Sequence, residues 1–178
     1  MLSSGAHLLL LTLALATARD PVVDTDPALE SLRKQLAIVG GFLVRSAGKV
    51  PDADYDFKPT PDVRSFVDLF MHVASAQLYV CQQVDGATAA VDEFYGAYVA
   101  AHKSGGFKSI PNGKQKVIET LQSSFAYCDK VVAGITLERA ARMVQPSFLS
   151  RVMGPGEAPA AAFLTVNLAH VYDTTGMS

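Results

Sequence analysis

Apolar residues recur at three- and four-residue steps along most of the chain beyond residue 25, and this spacing limits the fold more than any other feature. The first such segment follows a proline at position 27 and carries Leu29, Leu32, Leu36, Val39 and Leu43. No stretch alternates apolar and polar residues for long enough to predict a sheet. With 178 residues, of which 49% are hydrophobic, the sequence predicts a single all-α domain.

Capping signals divide the chain into four long helices. Asp26 as N-cap with Pro27 begins the first helix, which we expect to end near Ser46. Thr60 followed by Pro61 gives the second helix its predicted start. We expect the second helix to end near residue 84. Four further helices are predicted: a short extra helix at 91–102, a third long helix at 113–133, a short helix from the Thr136 cap to about 144, and a last long helix that begins at Pro159. Four long helices are typical of a four-helix bundle.

Two adjacent glycines interrupt the first predicted helix. Gly40 and Gly41 each cost roughly 1 kcal/mol against alanine inside a helix. We therefore expect either that another backbone packs closely there or that the helix bends.

The N-terminal segment decides the expected compartment. Residues 8–16 are almost entirely Leu and Ala, about half the length that crosses a bilayer as a helix, and small residues follow at alternate positions to Ala18. This pattern predicts a signal peptide at residues 1–18, a mature domain at 19–178 and a secreted or periplasmic protein without a stable membrane span. The alternatives are an uncleaved anchor and a misassigned start codon.

Charge and cysteine content exclude several functions. The chain has 15 basic and 17 acidic residues, scattered singly, so no basic face for nucleic acid is predicted. It has no CxxC motif for thioredoxin-type chemistry. Cys81 and Cys128 lie on buried stripes of the second and third helices, either as packed thiols or as a disulfide.

Two histidines are candidates for a metal site. His72 and His170 lie toward the inward faces of two long helices, and Asp173 follows His170 on nearly the same face. Neutral imidazoles suit Zn, Ni or Fe, and bundle cores are where facing helices build such sites. The alternative is that each histidine is a hydrogen-bonded core residue without a metal. Gln77 near the His72 face either orients a bound water or lines a polar pocket, and Arg64 either binds an anion or forms a surface salt bridge.

Three segments carry a family resemblance. They are VPDADYDFKPTPDVRSF at residues 50–66, HVASAQ at 72–77 and SFAYCD at 124–129, and the pattern continues to His170. With these segments the chain resembles the DinB-like superfamily of four-helix bundles.

The resemblance implies a metal site of three histidines, one on the second helix and two spaced by four on the last. His72 and His170 match two of these positions, whereas the third is Thr174. The implied site is therefore two histidines with Asp173 and water, or a degenerate site without metal. Relatives that use a low-molecular-weight thiol imply a thiol-transferase or hydrolase type of enzyme with an unknown small-molecule substrate. The alternative is a non-catalytic bundle that binds a ligand or a partner, and a homodimer is plausible from the family.

Overall fold

The computed structural model describes residues 26–86, 96, 100, 106–145, 156–174 and 176. Its helices are α1 (Pro27–Lys49), α2 (Phe66–Asp85), α3 (Gly113–Ala133), α4 (Leu137–Ala141) and α5 (Ala160–Thr174). Two-residue strands β1 (Met143–Val144) and β2 (Ala158–Pro159) pair antiparallel. The predicted signal peptide, the predicted helix at 91–102 except for Gly96 and Ala100, and most of the loop before Pro159 lie outside the described residues.

The four long helices form the predicted bundle. α3 packs on both α1 and α2, and α5 packs on the same two helices from the other side. The faces that meet in the middle carry the apolar residues of the predicted stripes, including the fully buried Val39, Val73, Val117 and Phe163. The all-α prediction is confirmed, and in the described part of the chain no helix is both long and apolar enough to cross a membrane.

The predicted start of α2 at Thr60 is wrong. The helix begins at Phe66, because the Ser65 side chain accepts a hydrogen bond from the Asp68 backbone N–H while the Asp68 carboxylate accepts from the Ser65 backbone N–H. This capping box satisfies backbone groups reciprocally, which the Thr60-Pro61 pair does not do. Residues before it form a turn in which the Val63 N–H donates to the Thr60 carbonyl.

The other helix boundaries are close to the predicted ones. α3 has the predicted bounds, and α1 extends to Lys49 instead of ending near Ser46. α4 begins after the Thr136 cap as predicted but ends at Ala141, since Met143–Val144 leaves the helix to pair with Ala158–Pro159. The last helix consequently starts one residue after Pro159.

α1 runs without interruption through Gly40 and Gly41, and the reason lies in α3. A Cβ atom at Gly40 would lie 2.6 Å from Cδ1 of Phe125, so the absence of a side chain allows that ring to pack against the helix. A close approach is present, but the expectation of a neighbouring backbone is wrong, because the approaching group is the Phe125 side chain.

A disulfide joins Cys81 of α2 to Cys128 of α3, and both residues are fully buried. Of the two alternatives that the sequence left open, the structure shows the disulfide. The connection ties the helix that carries His72 to its neighbour across the core.

The segment between α1 and α2 covers one end of the bundle. Tyr55 is fully buried, its ring stacks on Phe107 at a centroid distance of 4.8 Å, and its hydroxyl donates to the Ala47 carbonyl. Burial, with a smaller contribution from the charge of Asp52, raises the pKa of the Tyr55 hydroxyl to about 12. This tyrosine therefore stays protonated and acts as a core residue.

Candidate functional site

α2 and α5 bring the two predicted histidines together. His72 contacts His170, and Gln77, further along α2, contacts Asn167, which comes earlier on α5. The two helices therefore run antiparallel, and the start of α2 lies at the same end of the bundle as the end of α5. The histidine pair lies toward that end.

The two imidazole rings approach each other through their Nε2 atoms. These atoms are 3.1 Å apart, whereas the ring centroids are 5.0 Å apart and the ring planes meet at 71°. Both residues are half-buried. At this distance one neutral ring can donate its Nε2–H to the bare Nε2 of the other, and which ring donates depends on the tautomers.

Burial and nearby positive charge keep both rings neutral. The pKa of His72 is lowered from 6.5 to about 4, mainly by burial and then by the charges of Arg64 and His170. Burial likewise lowers the pKa of His170, where the Asp173 carboxylate opposes the shift and Arg64 adds to it. At neutral pH each ring is therefore a neutral imidazole with one N–H group, and a nitrogen lone pair is accessible.

The position that the family resemblance assigns to a third histidine faces the pair. His170 lies one turn before Thr174 on α5, and the Oγ1 atom of Thr174 is 3.5 Å from Nε2 of His170. Asp173 is exposed and affects His170 through its charge. Within the part of the chain that the structure describes, no three His, Cys, Asp or Glu side chains form a metal-binding group. Asp173 is therefore not assembled with the two histidines, and the metal stays a prediction.

A buried amide pair lies deeper between the same two helices. The Asn167 side-chain amide donates to Oε1 of Gln77, and the two residues are 1% and 0% exposed. Among the described residues, Nε2 of Gln77 and Oδ1 of Asn167 have no hydrogen-bond partner. Each such buried polar atom costs about 1–3 kcal/mol. Gln77 is thus part of a buried polar pair between α2 and α5.

Asn167 is the site residue that sequence reasoning missed. It lies on the buried face of the last helix, and its signal in the sequence is an amide in a helix that is otherwise mostly apolar. The partner on α2 could not be identified from the sequence, since it depends on how the two helices are aligned.

The predicted short helix at 91–102 contains Tyr95, Tyr98 and His102. These three residues lie outside the described residues.

The fold and the site together define a class of protein: an all-α four-helix bundle in which the second and last long helices each contribute an inward histidine to one pair. The family model of the DinB superfamily matches residues 24–174, and the chain belongs to that superfamily. A search of curated proteins finds no match.

Proposed function

We propose that this DinB-superfamily protein binds one divalent metal ion, Zn, Ni or Fe, between α2 and α5 and uses it as a thiol transferase or hydrolase. The observation that carries the proposal is the convergence of His72 and His170 through their Nε2 atoms at 3.1 Å. Both rings are neutral at physiological pH, which is the protonation state that a metal ligand requires.

The residues present fit such an ion. Two nitrogens that are each about 2.0–2.1 Å from one ion lie about 2.9–3.4 Å apart at octahedral or tetrahedral angles. The observed separation of 3.1 Å falls in that range, so the rings need little rearrangement to bind together. Two protein nitrogens with the Thr174 hydroxyl nearby leave positions open for a small molecule.

Each residue of the site has a role in this proposal. His72 and His170 hold the ion, and Thr174 places a hydroxyl that can donate or accept a hydrogen bond beside it. The apolar core beneath the half-buried pair limits the access of water from inside the bundle. A divalent ion at such a site supplies the charge that makes a bound thiol or water acidic at neutral pH.

The enzymatic part is tested with the metal-loaded protein. We expect zinc-loaded protein to accelerate the reaction of 2-mercaptoethanol with 1-chloro-2,4-dinitrobenzene, or the hydrolysis of p-nitrophenyl acetate. His72→Gln should abolish the acceleration, whereas the matched change Gln83→Ala on the far end of α2 should not. Loaded protein that accelerates neither reaction would contradict the enzymatic proposal while leaving metal binding intact.

A second candidate function is a non-catalytic bundle that binds a ligand or a partner. One observation that favours it is Thr174, which stands at the expected position of the third histidine. Another is the distance of 3.1 Å between the Nε2 atoms of His72 and His170, at which the two rings can form a hydrogen bond with each other. The two functions differ in metal content, because only the first requires His72 and His170 to retain an ion during purification.

Export also remains a proposal, and the disulfide supports it. A buried disulfide such as Cys81–Cys128 forms and persists mainly in oxidising compartments. Expression of the full chain in a bacterial host followed by N-terminal sequencing should find Arg19 as the first residue and the protein outside the cytoplasm. A chain that keeps residues 1–18 and stays in the cytoplasm would contradict this proposal.

A further inference from the structure

Arg64 occupies a distinctive place at the mouth of the histidine site. It directly precedes Ser65, the N-cap of α2, and its side chain is exposed. Since α2 and α5 are antiparallel, this turn lies at the same end of the bundle as Thr174, the last residue of α5. Arg64 is therefore at the end of the bundle toward which the histidine pair lies.

The charge of Arg64 is not neutralised by any residue in the part of the chain that the structure describes. Among the described residues, no carboxylate lies within ion-pairing distance of its guanidinium. The Asp68 carboxylate, four residues later, accepts from Ser65 and pairs with Lys58 at 3.6 Å. The surface salt bridge that the sequence offered as an alternative for Arg64 is thus absent from the described part of the chain.

The positive charge of Arg64 also acts on the histidine pair. Arg64 lowers the pKa of both His72 and His170, in addition to the effect of burial. The exposed Asp173 carboxylate also acts on His170, so an anion beside the two rings would be attracted by Arg64 and repelled by Asp173.

Exposed apolar side chains flank Arg64. Phe57 is 55% exposed, Val63 46% and Phe66 37%. The rings of Phe57 and Phe66 stack at 6.4 Å, and Phe66 continues the stack to Phe70 at 6.5 Å. Apolar surface of this kind, beside a cation that forms no ion pair with a described residue, is complementary to a molecule with an apolar body and one negative charge.

We propose that Arg64 is the substrate-recognition residue of this site and that it selects small molecules with a carboxylate joined to an apolar, preferably aromatic, group. The guanidinium binds the carboxylate through two parallel hydrogen bonds, and the body of the molecule packs on Phe57 and Phe66. The inference names the substrate class of the proposed enzyme and so rests on that proposed function.

Metal-free protein tests this inference separately from metal binding. Three probes of nearly the same shape are phenylacetate, phenylacetamide and 2-phenylethylamine, which are negative, neutral and positive at neutral pH. Binding is followed by the NMR signals of the His72 and His170 ring protons. Because hydrogen bonds between two charged groups are stronger than those to a neutral amide, phenylacetate should bind about tenfold or more tightly than phenylacetamide, and the amine should bind most weakly.

Variants identify the cation responsible. Arg64→Gln should remove the preference for phenylacetate, and Arg64→Lys should retain part of it, since lysine keeps the charge but lacks the planar fork. Arg45→Gln is the matched control, because Arg45 lies on α1 over the ring of Phe42. Equal affinities for the three probes, no phenylacetate-dependent shift of the histidine signals, or a preference that survives Arg64→Gln would each overturn the proposal.

Discussion

The Nε2 atoms of His72 and His170 lie 3.1 Å apart although the two residues are separated by 98 positions in the chain. The contact joins the first half of α2 to the last turns of α5, so it depends on the packing and the alignment of two antiparallel helices. Among the described residues, no carboxylate forms a hydrogen bond with either ring, and burial holds both rings in the neutral form. The pair can therefore serve as a hydrogen-bonded unit or as two ligands for one ion.

Acid should destabilise the metal-free protein through His72. Its pKa falls from 6.5 in the unfolded chain to about 4 in the folded one, so between these values the unfolded state binds more protons. This contribution to the free energy of unfolding is complete above pH 6.5 and is lost as the pH falls toward 4. His170, whose pKa is also lowered, acts in the same direction.

Urea unfolding at several pH values measures this effect. Wild-type protein should lose more stability than His72→Gln between about pH 7 and pH 4.5, because the variant lacks the group whose pKa is lowered most. Asp85, whose carboxylate pKa is lowered chiefly by its hydrogen bond from Arg139, contributes equally to both proteins and so cancels in the comparison. Parallel pH profiles for the two proteins would contradict this assignment.

The two adjacent glycines of α1 should respond in opposite directions to alanine. At Gly40 the added Cβ would lie 2.6 Å from the Phe125 ring, and overpacking of this kind costs about 1–3 kcal/mol. At Gly41 the nearest atom is Nη1 of the flexible Arg45 at 3.2 Å, so the gain in helix propensity of up to about 1 kcal/mol should prevail. Thermal unfolding should give a lower Tm for Gly40→Ala and an equal or higher Tm for Gly41→Ala. The reverse order would show that Phe125 does not pack on Gly40.

Removal of the disulfide should cost a large part of the stability without changing the fold. Cys81 and Cys128 are separated by 47 residues, and closing a loop of that size in the unfolded chain is worth up to about 4 kcal/mol. The double variant Cys81→Ala with Cys128→Ala should therefore unfold at lower urea, by about 2–4 kcal/mol, with helical circular dichroism unchanged. Wild-type protein denatured without a reductant should show no thiol reactive toward a labelling reagent, and it should show two after reduction, because both cysteines are in the disulfide. Reactive thiols in the unreduced protein, native or denatured, would contradict the pairing.

Position 174 tests the geometry of the site. The Thr174 Oγ1 atom lies 3.5 Å from Nε2 of His170, so a histidine there could supply a third nitrogen to the same ion. Thr174→His should raise zinc affinity by about tenfold or more in a titration with a competing chelator, which corresponds to at least about 1.4 kcal/mol. Asp173→His, on the exposed neighbour, is the matched control and should have a smaller effect. An unchanged affinity for Thr174→His would mean that the end of α5 does not face the ion.

Much of the bundle could be predicted from local pattern, because apolar spacing and capping act within a few residues. The bounds of α3 and the inward positions of His72 and His170 follow from such spacing. The start of α2 was misplaced because Thr60 with Pro61 is a strong local signal, whereas the Ser65–Asp68 capping box makes the hydrogen bonds.

The remaining features depend on long-range packing. Spacing places Cys81 and Cys128 on buried faces, but their Cα separation of 5.4 Å follows from how α2 and α3 are aligned. The contact between Gln77 and Asn167 is of the same kind, since it depends on the alignment of α2 with α5. Periodicity gives the face of a helix and does not give the register between two helices.

The metal content of the purified protein tests the central claim most directly. Elemental analysis of protein prepared without chelator should find about one Zn, Ni or Fe per chain. His72→Ala and His170→Ala should both lose the ion, and His102→Ala, which changes a histidine outside the pair, should keep it. Wild-type protein that remains metal-free after incubation with micromolar zinc would contradict the metal site. His72 and His170 would then act as a hydrogen-bonded pair and not as metal ligands.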